Sequence, residues 1–374
     1  MISIPDYSDM YIKKYIDDIG NKIYSYAMLE KDFWIKYFPE CNDHGNIDKK
    51  FFDDILSLTI DELCEKYESI KTYYQFAFFS SLNIYYIHMG EPSRKCRKDN
   101  RKIYIKTYVE KNKIADRILK YYLKKGGNPI STDKDFEKLQ SYMKKGLKII
   151  NDNIKKTINY NTIIKCKHRV DILDDLNIKV CPYCNRQYVV KLDINMGKVI
   201  GDIDHFYSQN YFALFGLSLY NFVPSCKICN SLFKSDINAD IQYPYRMTDE
   251  SNISFEIANE EGELTPGNIY GWNDNFYINV IGKSPEQQKA DREINFFSIN
   301  AQYTLHKGYA KELLYKKNII TTSLITQLES YLNSIQIQLS RKQIKEVLYG
   351  IDIDDIDIRE KPLAKLTKDL YEKY

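Results

Sequence analysis

The chain is 374 residues long, with 44% hydrophobic residues and a formal net charge of +3. That is enough for two or three domains with apolar cores and excludes a disordered polyampholyte; any attraction to nucleic acid must come from where charge is placed, not from its total. The longest uncharged run, Tyr73 to Gly90, contains Gln75, Ser80, Ser81, Asn83 and His88 and is short for a membrane span, so it reads as a buried helix in a cytoplasmic protein.

From the N-terminus to about residue 165 the periodicity is mostly helical, which sets off a helical domain over 1–165. Phe51, Ile55, Leu58 and Ile60 to Leu63 suggest one amphipathic helix, and Phe76, Phe79, Leu82 and Tyr86 a stripe on the next, read as core and not as a base-stacking surface. Gly90-Glu91-Pro92 then breaks the run. Between Glu91 and Lys125 the chain carries thirteen Lys/Arg against four Asp/Glu. Lys95, Arg97, Lys98, Arg101 and Lys102 form a candidate phosphate track, since each neutralised phosphate releases counterions. A solvated helix face is the alternative reading. After the turn Gly126-Gly127-Asn128-Pro129 the helical pattern resumes, with Phe136, Leu139, Tyr142 and Met143 on one side and a basic stretch from Lys144 to Lys156.

Near Val180 the pattern turns to β-type alternation. Tyr188 to Ile194, the turn Asn195-Met196-Gly197 and the return from Val199 to Ile203 suggest a hairpin whose second strand ends on Asp204-His205. This opens a central segment, 166–245, followed by a C-terminal region, 246–374. In the latter, Ile253 to Ile257 and Phe276 to Ile281 read as strands, and a long helix is expected around Tyr309 to Leu339. Ile281-Gly282-Lys283-Ser284 is no phosphate loop, because Tyr277 stands where the upstream glycine belongs. His306 has no metal-spaced partner and reads as structural, and the run Asp352, Asp354, Asp355 and Asp357 as solvated. The fold class is α+β, mostly helical.

Four of the eight cysteines form two CxxC pairs, Cys181/Cys184 and Cys226/Cys229, with 41 residues between them. Two such turns make a closed four-thiolate zinc site without an open position, so the Zn2+ is structural. Paired CxxC turns indicate a reducing compartment, and Cys41, Cys64, Cys96 and Cys166 read as ordinary thiols. The enclosed residues carry the chemistry: Asp204-His205 at a strand end, Asn221 ahead of the second pair, and Asn230 immediately after it.

This arrangement resembles the HNH, or ββα-metal, nucleases, and is most similar to zinc-stabilised members whose third signature position is Asn, as in the HNH domain of RNA-guided CRISPR nucleases. The resemblance spans about 55 residues and implies a small central ββα-metal core that hydrolyses phosphodiesters in nucleic acid, DNA first and RNA or tRNA as the alternative substrate. It also resembles the HNH components of bacterial anti-phage systems of the Septu and retron type, which act beside an ATPase. This chain has no ATPase motif, so such a partner is a separate protein. Where many relatives have Pro-Lys-Ser-like residues after the Asp-His stretch, Ser208-Gln209-Asn210 stand here.

On this reading His205 is the general base, since a neutral imidazole accepts a proton near neutral pH. Asp204 and Asn230 are the oxygen ligands of Mg2+ or Mn2+, which need few protein groups because water and phosphate fill the octahedron. Asn221 takes the family's middle role, fixing the loop by hydrogen bonding. Asp202 reads as a polar strand residue, Ser225 as the N-cap of a short helix, Lys234 as a phosphate contact on the face of Asn230, and Arg186 as a weaker one. The rival from another class is a catalytically inactive, zinc-stabilised nucleic-acid-binding or scaffold protein.

Overall fold

The computed structural model describes residues 2–82, 120, 123–127, 133–193, 198–199, 201–247, 249–259, 262–283 and 287–374. Lys95, Arg97, Lys98, Arg101 and Lys102, with most of the basic 91–125 segment, the 195–197 turn and Tyr86, lie outside the described residues. The described residues are mostly helical, with small two-stranded antiparallel sheets.

At the N-terminus come α1 (Asp9–Tyr15), a wider π turn (Ile16–Gly20), α2 (Asn21–Leu29) and α3 (Lys31–Tyr37). A two-residue hairpin, β1 (Asn42–Asp43) with β2 (Asn46–Ile47), leads to α4 (Lys49–Ser57), α5 (Ile60–Lys66) and α6 (Glu68–Ser81). The single helix expected across Phe51 to Leu63 is therefore two. Thr59 and Glu62 form a capping box, each side chain bonded to the other's backbone N–H, which restarts the helix after an extended Leu58. Then follow α7 (Asp133–Thr157), α8 (Tyr160–Ile163) and α9 (Cys166–Leu176). On α7, Leu139, Met143, Leu147 and Ile154 are buried at helical spacing, whereas Tyr142 is exposed.

The central segment holds β3 (Lys191–Asp193) paired with β4 (Lys198–Val199), and β5 (Asp202–His205) paired with β6 (Phe222–Ser225). The register of the second pair sets Asp202 opposite Ser225, Asp204 opposite Val223 and His205 opposite Phe222. A π-helical stretch, Ile228–Lys234, follows β6. The two strands expected in the C-terminal region are β7 (Ile253–Ala258) and β8 (Tyr277–Gly282), which pair antiparallel with Ile253, Phe255 and Ile257 of β7 buried on one face. The exposed edge of β7 is closed by the last helix: Asp369 Oδ2 accepts from Phe255 N at 2.8 Å and the Tyr374 hydroxyl from Ile257 N at 3.1 Å.

A short α10 (Pro266–Ile269) lies between those strands, and α11 (Gln287–Phe296), α12 (Ile299–Tyr303), α13 (Lys307–Ile319), α14 (Thr322–Ser334), α15 (Arg341–Tyr349) and α16 (Ala364–Lys373) complete the chain. The long helix expected over Tyr309 to Leu339 breaks between α13 and α14, where Thr321 turns extended and caps Leu324 N. Buried apolar residues from all three segments form one continuous core. Among the described residues no helix is long and apolar enough to cross a membrane.

Candidate functional site

The four motif cysteines converge. Their sulfurs all lie within 4.8 Å of one another, and all four residues are buried. A tetrahedron with metal-sulfur bonds of about 2.3 Å has edges of about 3.8 Å, and Cys184 and Cys226 Sγ are 3.9 Å apart. The first pair sits on a tight knuckle: Cys181 N donates to Gln187 O, Asn185 N to Cys181 O, and Asn185 takes φ +51°, a left-handed conformation that Asn tolerates. The second pair starts the π helix. Ser225, expected as its cap, is instead the last residue of β6, and its buried hydroxyl has no partner among the described residues. The Cys226 sulfur takes the capping place, accepting from Cys229 N at 3.5 Å. Hydrogen bonds from the other three thiols, that of Cys181 first, hold Cys226 far below the ordinary thiol range, while burial pushes Cys181 up. This donor set is compatible with a structural zinc ion.

The C-terminal segment locks the knuckle from outside. Asn185 Nδ2 donates to Ile358 O at 2.7 Å and its Oδ1 accepts from Lys365 N at 2.9 Å, while the Tyr303 hydroxyl donates to Cys184 O at 2.8 Å. Arg186 Nε donates to His306 Nε2 at 2.9 Å and its guanidinium also bonds Gln302. Arg186, read from the sequence as a phosphate contact, is thus engaged with His306, read there as structural.

On β5, side chains alternate, so Asp202 and Asp204 share one face and His205 takes the other. The helix lays its own spacing over the first face. Asn230 Nδ2 donates to Asp202 Oδ2 at 3.2 Å, and one turn on, Lys234 Nζ meets both Asp204 oxygens at 3.1 and 3.0 Å and the His205 carbonyl at 2.6 Å. Asp204 is 4% exposed and Lys234 2%. Asp204 Oδ2 also accepts from the Tyr183 hydroxyl at 2.6 Å, and Tyr183 is one of the two residues inside the first CxxC turn. Lys234 therefore stands where the sequence placed it, beside Asn230, but its ammonium is spent on Asp204. Asp202, read as a mere polar strand residue, is the half-exposed carboxylate next to Asn230.

His205 lies edge-on to the rings of Tyr160 and Phe222, with centroids 4.6 and 5.3 Å away. Its Nε2 is 3.0 Å from the carbonyl of Gly216. A carbonyl only accepts, so Nε2 carries the proton and Nδ1 the lone pair. Burial pushes the imidazole down to about 4, so it is neutral at pH 7. Gly216 belongs to the loop joining β5 to β6, which Asn221 holds from within: its Oδ1 accepts from Tyr207 N at 2.7 Å and its Nδ2 donates to Tyr207 O and Phe215 O at 3.0 and 2.9 Å.

From without, tyrosine hydroxyls hold the same loop. Tyr15 donates to Leu217 O at 2.8 Å, Tyr7 to Leu219 O at 3.1 Å, Tyr245 to Phe222 O at 2.6 Å, and Tyr243 to Tyr220 O. Sequence reading missed these residues, together with Tyr183 and Gly216, because no spacing ties them to the motif. The chain matches no protein-family model, and no curated protein or solved structure is similar to it at a significant level.

Proposed function

We propose that the chain is a metal-dependent phosphodiester hydrolase of HNH type acting on nucleic acid, DNA first. The observation that carries this is the His205 setting: a buried, neutral imidazole whose Nε2–H is tied to Gly216 O, leaving Nδ1 as the proton acceptor. The resemblance of Asp204-His205, Asn221 and Asn230 to the family's signature supports the same reading.

A hard divalent ion fits the neighbouring donors. Asp202, Asp204 and Asn230 offer oxygen, and a positive group, the Lys234 ammonium, already stands against Asp204 as a cation would. Bound there, Mg2+ or Mn2+ would polarise the phosphate and stabilise the leaving oxygen. The chain's own groups do the rest. His205 Nδ1 accepts the proton of the attacking water, and the Gly216 carbonyl stabilises the imidazolium that results. Asn221 keeps that carbonyl in place.

An anti-phage role beside a separate ATPase rests on the family resemblance alone. The test is cleavage of plasmid, single-stranded DNA and tRNA by zinc-loaded protein with Mg2+ or Mn2+. Wild type should cleave at least one substrate, and His205→Ala should lose cleavage by at least a hundredfold with zinc content intact. Absence of cleavage by wild type on the whole panel favours the inactive binding protein instead, and equal cleavage by the variant removes His205 as the general base.

A further inference from the structure

The Lys234–Asp204 pair is the least expected feature of the site. Lysine ammonium is strongly hydrated and carried on a flexible stem, so burying it to 2% exposure requires a specific set of acceptors. It has one: both Asp204 oxygens at 3.1 and 3.0 Å and the His205 carbonyl at 2.6 Å. The Tyr183 hydroxyl takes the remaining capacity of Oδ2. A carboxylate and a backbone carbonyl facing one positive charge make up a hard-cation ligand set, here filled by the chain itself. A divalent ion binds carboxylate oxygen at about 2.0–2.1 Å. On these same lone pairs it would collide with Nζ. One turn away, Asp202 and Asn230 stand half-exposed at 3.2 Å, a point of entry next to the filled one.

We propose that Lys234 is a tethered counter-cation that occupies Asp204 while no divalent ion is bound and is displaced from it when one binds between Asp202, Asp204 and Asn230. The inference rests on the hydrolase reading above, and it concerns how that site is loaded. Lys234 then lowers the apparent affinity for the ion and keeps the buried carboxylate paired in its absence. Once released, its stem carries the ammonium toward solvent on the face of Asn230, where a phosphate would lie.

Two measurements test this without any cleavage assay. In the first, zinc-loaded protein is titrated with Mn2+ and the free ion is read by electron paramagnetic resonance. Lys234→Gln should bind Mn2+ at least tenfold more tightly than wild type, and its lowered melting temperature should recover at saturating Mn2+. Asp202→Asn should bind at least tenfold more weakly than wild type, and Lys234→Gln/Asp204→Asn should lose the gain. In the second, wild type is treated with acetic anhydride and the peptide carrying Lys234 is followed by mass spectrometry. Its acetylation should be slow without the ion and rise severalfold with Mn2+, which holds even where Lys234→Gln does not fold. Mn2+ binding by wild type and loss in Asp202→Asn, with Lys234 labelling unchanged, overturns the tether and leaves the hydrolase reading standing. Millimolar Mn2+ bound by no form of the protein overturns both.

Discussion

Replacement of Asn221 by alanine has a cost that the hydrogen bonds allow to be worked out. The side chain is fully buried and serves Tyr207 N, Tyr207 O and Phe215 O. Phe215 O keeps a second donor, Ser218 N at 3.2 Å, but neither polar group of Tyr207 has another backbone partner among the described residues. Two buried groups are thus orphaned, each costing about 1–3 kcal/mol, so Asn221→Ala should destabilise the protein by about 4 kcal/mol. Asn221→Asp sharpens the argument. It is isosteric and still accepts from Tyr207 N, yet it turns a carboxylate oxygen against two carbonyl oxygens and should cost at least as much. Urea unfolding at fixed excess zinc, extrapolated linearly, gives both values. A loss under about 1 kcal/mol in both variants, against the cost just worked from orphaned groups, would show that the loop is held by its tyrosines and not by Asn221.

Two further outcomes follow from the site. Cys226→Ala should release the zinc, because it removes both a sulfur ligand and the acceptor for Cys229 N; metal analysis checks it, and one retained equivalent per chain would refute the four-sulfur assignment. His205 gives a pH dependence. Its folded value of about 4 lies below the ordinary 6.5, so its neutral form contributes stability that is full above pH 6.5 and is lost as pH falls toward 4. Between pH 7 and pH 5, wild type should therefore lose about 2 kcal/mol more than His205→Gln, measured by urea unfolding with zinc content verified at each pH. Parallel curves for the two proteins would mean that His205 is not held neutral by burial.

What was legible in the sequence was local. Each CxxC turn, the two strands of the C-terminal region and the closeness of Asn230 to the second CxxC pair all lie within a few residues of their own signal. The breaks at Leu58 and Thr321 are marked by the capping side chains of Thr59 and Thr321, which interrupt a hydrophobic periodicity that by itself predicts unbroken helices. What was not legible was convergence across long separations. Tyr7 and Tyr15 lie more than 200 residues from the carbonyls they hold, and Tyr183 is 21 residues from Asp204. The chain has 33 tyrosines, and several of them do structural work at one loop. A hydroxyl on a buried ring needs an acceptor, and no pattern in the chain says which one it will find.

The same convergence explains why zinc site and candidate active site should fail together. Tyr183 lies between the two cysteines of the first turn, and its ring stacks on Phe297 with centroids 4.7 Å apart while its hydroxyl reaches Asp204. Asn230 and Lys234 lie on the helix whose first turn is fixed by Cys226 and Cys229. Three partners of the β5 carboxylates are therefore positioned by the four sulfurs, although none of them would touch the zinc. Without the ion the knuckle has only thiols to close it, and the free energy that metal binding lends to folding is withdrawn from Tyr183 and the helix at once. Asp202 and Asp204 would then face each other on one strand face with their partners loosened. Two neighbouring carboxylates without compensating donors repel, and the strand end carrying His205 has no reason to keep its place. A zinc ion held by the four sulfurs would thus act on the proposed chemistry through geometry alone, by holding the residues that hold the carboxylates.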